Sequence, residues 1–193
     1  MHRRALLQKL SQYSAIDAAD ASNRDRIAHF VSENEDCFER SLLIGHVTGS
    51  GWLVNPPRER VLLTHHRKLN KWLQLGGHAD GDADVLRVAL REAEEESGLT
   101  GIVALSDGIF DLDVHLIPER EGVPEHVHYD VRFLLQADGD DFVTSAESHE
   151  LRWFTAAELS AMPIGRSVLR MQSKWHAFLA GNAPFFRCET AGP

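Results

Sequence analysis

The chain has 193 residues, 43% hydrophobic and 25% charged, and carries a formal net charge of −9. That length and balance predict one well-buried globular domain with room for an extension. The acidic balance and the lack of a long Lys/Arg block argue against general nucleic-acid binding. No apolar run reaches membrane-spanning length, and MHRRALLQKL at the start lacks the apolar core of a signal peptide, so a reducing cytoplasm is the expected location. Cys37 and Cys188 are too far apart for a metal spacing or a disulfide framework.

Residues 1–40 read as a helical N-terminal extension. Arg3–Tyr13 carries Leu6, Leu7 and Leu10, and Ser22 or Asn23 is the expected cap of a second helix burying Ile27, Phe30 and Val31. The main domain is expected over 41–182, with a tail at 183–193. Residues 42–55 (LLIGHVTGSGWLVN) and 60–66 (RVLLTHH) read as strands of a hairpin-like unit around Pro56-Pro57. Leu69 to Gly77 leads into a helix. Strand candidates follow at 102–105, 108–117 and 127–136, then at 151–154. Thr155 caps a short helix, and 164–180 forms a terminal amphipathic one. Strands on both sides of a central helix, with another helix at the end, predict a mixed α/β sandwich.

The central helix lies in GHADGDADVLRVALREAEEESGL (77–99). Leu86, Ala89, Leu90 and Ala93 build one apolar stripe. Glu92, Glu95 and Glu96 share another face, within a rise of roughly 4.5–6 Å, and Gly98 is the expected C-cap. A charge run is ordinarily a solvated face. Here, however, Glu92 and Glu96 are like charges at i,i+4, at the helix end that favours cations. Hard divalent cations take oxygen ligands and would turn that repulsion into coordination.

This stretch closely resembles the Nudix box, G-x5-E-x7-R-E-U-x-E-E-x-G-U, with U apolar. Gly77, Arg91, Glu92, Ala93, Glu95, Glu96, Gly98 and Leu99 stand at the matching positions. The likeness runs over roughly residues 42–160, including Trp153-Phe154 followed by Glu158-Leu159. It implies a Nudix-type α/β/α sandwich with a mixed sheet. It also implies hydrolysis of a nucleoside diphosphate linked to another moiety, or a similar small diphosphate, with Mg²⁺ or Mn²⁺. By resemblance, Glu92 and Glu96 are metal ligands, and Glu95 is a ligand or a water-activating base. Glu147 (before Glu150 in preference) is the further acidic residue that such enzymes recruit ahead of the late tryptophan. The box's first glutamate is replaced by Ala83, which leaves Asp82 or Asp84 as stand-ins beside Arg91, or as helix caps.

Eleven histidines are many for this length. His78 directly follows the box glycine, a placement similar to that of type I isopentenyl-diphosphate isomerases, which share the Nudix fold and bind metal there. His46-x5-Trp52-x2-Asn55 and His126-x-His128 resemble the strands that carry the other ligands of those isomerases. Positions 126, 128 and 130 point to one face of a strand. His46, His78, His126 and His128 therefore form a candidate second site for Zn²⁺, Mn²⁺ or Fe²⁺; hydrogen-bonded or phosphate-contacting histidines are the ordinary alternative. The catalytic cysteine of those isomerases would fall at Gly76, so isomerisation is not expected.

The leading expectation is a metal-dependent hydrolase. The alternatives are a same-fold enzyme built on the histidines and a non-catalytic nucleotide-binding domain. Trp52, Trp72 and Tyr129 are candidates to stack a base, and Arg67, Lys68 and Lys71 to reach phosphate. A homodimer is compatible with the extension.

Overall fold

Helices α1 (Arg4–Gln12) and α2 (Ala18–Glu33) open the chain. α2 starts earlier than the sequence suggested. Asp17, not Ser22 or Asn23, is its N-cap, its carboxylate accepting the Asp20 N–H at 2.8 Å, where a negative charge also opposes the helix dipole. The computed structural model describes residues 2–67, 70–120, 122–143 and 148–182, apart from the side chains of 148 and 149. The expected tail at 183–193 lies outside them.

Four strands follow: β1 (Gly45–Val54), β2 (Arg60–His66), β3 (Lys71–Leu73) and β4 (Leu75–His78). Then come α3 (Val85–Ser97), β5 (Val103–Ala104), β6 (Asp111–Ile117), β7 (His126–Gln136), β8 (Ser148–Thr155), α4 (Ala156–Ala161) and α5 (Arg166–Leu179). β1 organises the mixed sheet. It runs parallel to β7 along its whole length, from Gly45↔Val127 to Val54↔Gln136. Its other edge is shared, because β4 pairs at Thr48–Gly51 and β2 only at Leu53↔Leu62 and Val54↔Val61. The hairpin-like pairing therefore survives only near the turn, and the sheet forks above it. β4 was not foreseen, since Gly76 and Gly77 have poor strand propensity; pairing with β1 overrides it.

The two faces of β1 carry different chemistry, as alternation requires. Val47 and Leu53 face a cluster shared with Val88, Ala89 and Ala93 of α3. Gly49 lets that helix come close: a Cβ there would lie 2.8 Å from the Val85 carbonyl oxygen. The other face is polar at His46, Thr48 and Ser50, then apolar at Trp52 and Val54, which pack under α5. Helices thus cover both faces, the expected α/β/α arrangement.

The N-terminal helices share the α3-side core. Leu6, Leu10, Ile27 and Phe30 belong to the same buried cluster as Val47 and Ala93, and Phe30 stacks on Tyr129 with centroids 3.8 Å apart. A buried ionic knot adds to this. Lys174 of α5 donates to Asp20 at 2.9 Å and to Asp111 at 2.7 Å, and Asp111 also takes Arg132 at 3.0 Å and Arg170 at 2.8 Å.

Candidate active site

The front of α3 settles what the aspartates do. Asp84 is the N-cap and accepts the Arg87 N–H. Asp82 takes the Arg87 guanidinium and the Asp84 N–H, and Asp80 pairs with Arg40. None of them holds Arg91. Arg91 donates to the His78 carbonyl at 3.0 Å and pairs with Glu92 at 3.0 Å, while Ala83 packs half-buried against the core. The neighbouring carboxylate and a β4 carbonyl thus replace the missing glutamate as partners of the arginine. At the far end Gly98 adopts φ +68° and returns its N–H to the Glu94 carbonyl, a left-handed cap that glycine adopts without strain.

α3 presses two of the three expected carboxylates against β4. Glu96 Oε2 accepts the Gly76 N–H at 3.1 Å. Glu92 lies so close to Gly77 that a Cβ there would sit 2.3 Å from its Oε2. Glu95 is exposed on the flank of the same helix. Glu147 lies outside the described residues, and Glu150 is exposed on β8, opposite His65.

The histidines converge from three strands. His46 on β1 is in register with His128 on the parallel β7, and His78 ends β4. Ring centroids lie 5.0 Å apart for His46–His78, 4.9 Å for His46–His128 and 5.2 Å for His78–His128. Among the described residues this is the one set of three or more His, Cys, Asp and Glu side chains whose donor atoms all lie within 4.8 Å of one another. His126 adjoins but is outside that set, with its Nε2 3.3 Å from His128 Nε2. His46 is 3% exposed and neither ring nitrogen has a partner. Burial, then neighbouring positive groups, pushes the imidazoles toward neutrality. His78 falls to about 4 through burial, Arg40 and His46, and His128 to about 2 through burial and the rings around it. His46 is lowered too, by burial first and His126 second.

Next to the histidines along the same face is a polar row centred on Asp130, which sequence reading put on this face without its partners. Asp130 accepts from Thr48 at 2.9 Å, Ser50 at 2.7 Å, Gln74 at 3.1 Å and Arg132 at 2.7 Å. Its signal was the alternation 46/48/50 against 128/130/132, which becomes meaningful only once β1 and β7 are known to pair. Two of the suggested stacking aromatics are structural: Trp52 is fully buried against Trp175, and Tyr129 is held by Phe30. Trp72 is half-buried between His65 and Phe154. Arg67 and Lys71 are exposed, and Lys68 lies outside the described residues.

A family model described as NUDIX domain matches residues 45–172, leaving α1 and α2 outside it. Among solved structures, a NUDIX-family hydrolase from Clostridium perfringens is similar at 22% identity and TM-score 0.55, over 69% of this chain and 97% of its own. A C. elegans Ap4A hydrolase, solved as a binary complex, is similar at 20% identity and TM-score 0.56, over 70% of this chain and 98% of its own. The MutT protein of Methanosarcina mazei Go1 reaches 17% and 0.54, over 70% and 95%. At these identities the likenesses establish the fold. No curated protein matches the chain.

Proposed function

The chain belongs to the NUDIX family and is an enzyme of its pyrophosphohydrolase class, and on that premise we propose that it cleaves a small diphosphate, a nucleoside diphosphate linked to another moiety, with Mg²⁺ or Mn²⁺. The observation that carries this is the placement of Glu92 and Glu96. Both carboxylates lie against the Gly76–Gly77 backbone, one through a hydrogen bond and one in space that a side chain would fill.

This donor set fits a hard divalent cation, which takes carboxylate oxygens. Glu92 and Glu96 would hold it, which leaves Glu95, on the exposed flank of the same helix, free of the ion. When bound, such a cation offsets the charge of the diphosphate oxygens and lowers the pKa of a bound water. The protein's own part is positioning. Arg91 fixes Glu92 and ties the helix to the His78 carbonyl, and glycine at 77 leaves the carboxylate its place. We assign Glu95 as acceptor of the proton from the attacking water. The water oxygen forms a bond to phosphorus as the bridging P–O bond breaks, giving two phosphate-bearing products. Glu147 stays part of this proposal as a further acidic group.

An isomerase-like reading loses its nucleophile. A Cβ at Gly76 would lie 2.7 Å from the Ser50 Cα, so a cysteine there would collide with backbone. A screen of diphosphates against Mg²⁺ and Mn²⁺, read by phosphate or nucleotide monophosphate release, tests the proposal. Turnover dependent on both the metal and Glu96 supports it; nucleotide binding with no turnover under any metal overturns it.

A further inference from the structure

The imidazoles of His46, His78 and His128 have no role in the reaction just described, yet they form the most convergent donor set among the described residues. We propose that they constitute a transition-metal site separate from the carboxylates of α3, with His126 as its fourth donor.

Three observations carry this. First, His46 is buried with both nitrogens unpartnered. Leaving a buried polar group unpaired is unfavourable, and a bound ion would remove that cost at one nitrogen. Second, His126 Nδ1 lies 2.8 Å from the Pro124 carbonyl oxygen. That oxygen can only accept, so Nδ1 carries a proton, and in the neutral imidazole the Nε2 lone pair faces His128. An N–H···O=C bond of this kind sets the tautomer of metal-ligating histidines. Third, the His126 and His128 Nε2 atoms are 3.3 Å apart. Two nitrogens at 2.0–2.1 Å from a tetrahedral ion are separated by about 3.3 Å, so this pair already spans one edge of such a site.

The donor chemistry selects the metal. Neutral imidazole suits borderline ions such as Zn²⁺, whereas Mg²⁺ keeps to oxygen. The rings come from β1, β4 and β7, so an ion would also pin together the three strands that meet above the fork. Nothing in this assignment depends on hydrolysis.

The test uses the untagged full-length protein, purified without chelator and titrated with Zn²⁺ and with Co²⁺. One equivalent of zinc by elemental analysis and visible d–d bands of four-coordinate Co²⁺ are expected. Both should persist in Glu96→Gln, which alters only the carboxylate set, and be lost in His46→Leu and His128→Leu. Because neither His46 ring nitrogen makes a well-formed hydrogen bond, metal-free His46→Leu should melt close to the wild-type temperature, which verifies folding, while losing the rise in melting temperature that Zn²⁺ gives the wild type. Absence of metal retention by the wild type overturns the proposal. So does retention of the cobalt bands by the histidine variants, or their loss in Glu96→Gln.

Discussion

Gly77 and Glu92 compete for one volume: a Cβ on Gly77 would lie 2.3 Å from Oε2 and 2.5 Å from Cδ of Glu92. Those atoms are the far end of a flexible side chain, so Gly77→Ala should displace the carboxylate rather than break the fold. A ligand moved by about 1 Å costs about 10²-fold in rate. We expect kcat to fall by that order with little change in melting temperature. An unchanged kcat would show that the position of Glu92 is irrelevant to turnover.

Glu96→Gln retains an oxygen able to accept the Gly76 N–H while removing the negative charge. Loss of several kcal/mol of charge stabilisation corresponds to about 10²-fold or more in kcat. Titration of Mg²⁺ should show weaker activation as well. Equal metal dependence in variant and wild type would remove Glu96 from the ligand set.

Arg91 acts through two partners, the His78 carbonyl and Glu92. A lysine keeps the charge but lacks the planar guanidinium whose Nη2 meets both. Arg91→Lys should lower kcat about 10–100-fold, the range found for groups that orient metal ligands. Steady-state kinetics with the metal concentration varied will separate weaker metal binding from a slower reaction.

Asp111 predicts the acid limb of stability. Burial alone would raise its pKa, but Arg170, Arg132 and Lys174 around it more than offset that and hold it below the usual carboxylate range. Asp113, likewise opposed by burial but held by His115 and Arg132, is lowered as well. A lowered folded-state pKa stabilises the protein above the unfolded value near 4 and is lost as pH falls through the folded one. Urea midpoints should therefore drop steeply below pH 4. Asp111→Asn should cost about 3–5 kcal/mol at neutral pH, because it leaves buried cations underpaired, and should flatten the acid limb.

Phe30 tests whether the N-terminal helices are structural parts of the domain. Its ring is buried in the shared core and stacked on Tyr129. Phe30→Ala should destabilise the whole chain by about 3–5 kcal/mol in one cooperative transition. A separate early transition, or no loss, would mean that α1 and α2 unfold independently of the rest.

Sequence alone determined the features that depend on neighbours along one helix. The spacing of Arg91, Glu92, Glu95 and Glu96 and the Gly98 cap follow from 3.6 residues per turn and from the freedom of glycine at positive φ. The expected apolar stripe, by contrast, is rotated, with Val85 and Val88 buried beside Ala89 and Ala93 and Leu86 and Leu90 only half-buried. The same local reading left the aspartates open between capping and pairing with Arg91, because both outcomes fit the spacing. What only the tertiary structure decided depends on strand pairing between distant segments. The parallel register of β1 with β7 sets His46 beside His128, and the unforeseen β4 brings His78 to them and lays Gly76 and Gly77 under Glu96 and Glu92. A strand's periodicity states which face a side chain takes but not which strand lies beside it. Register is chosen by burial over the whole sheet, and that choice made separated histidines into one cluster.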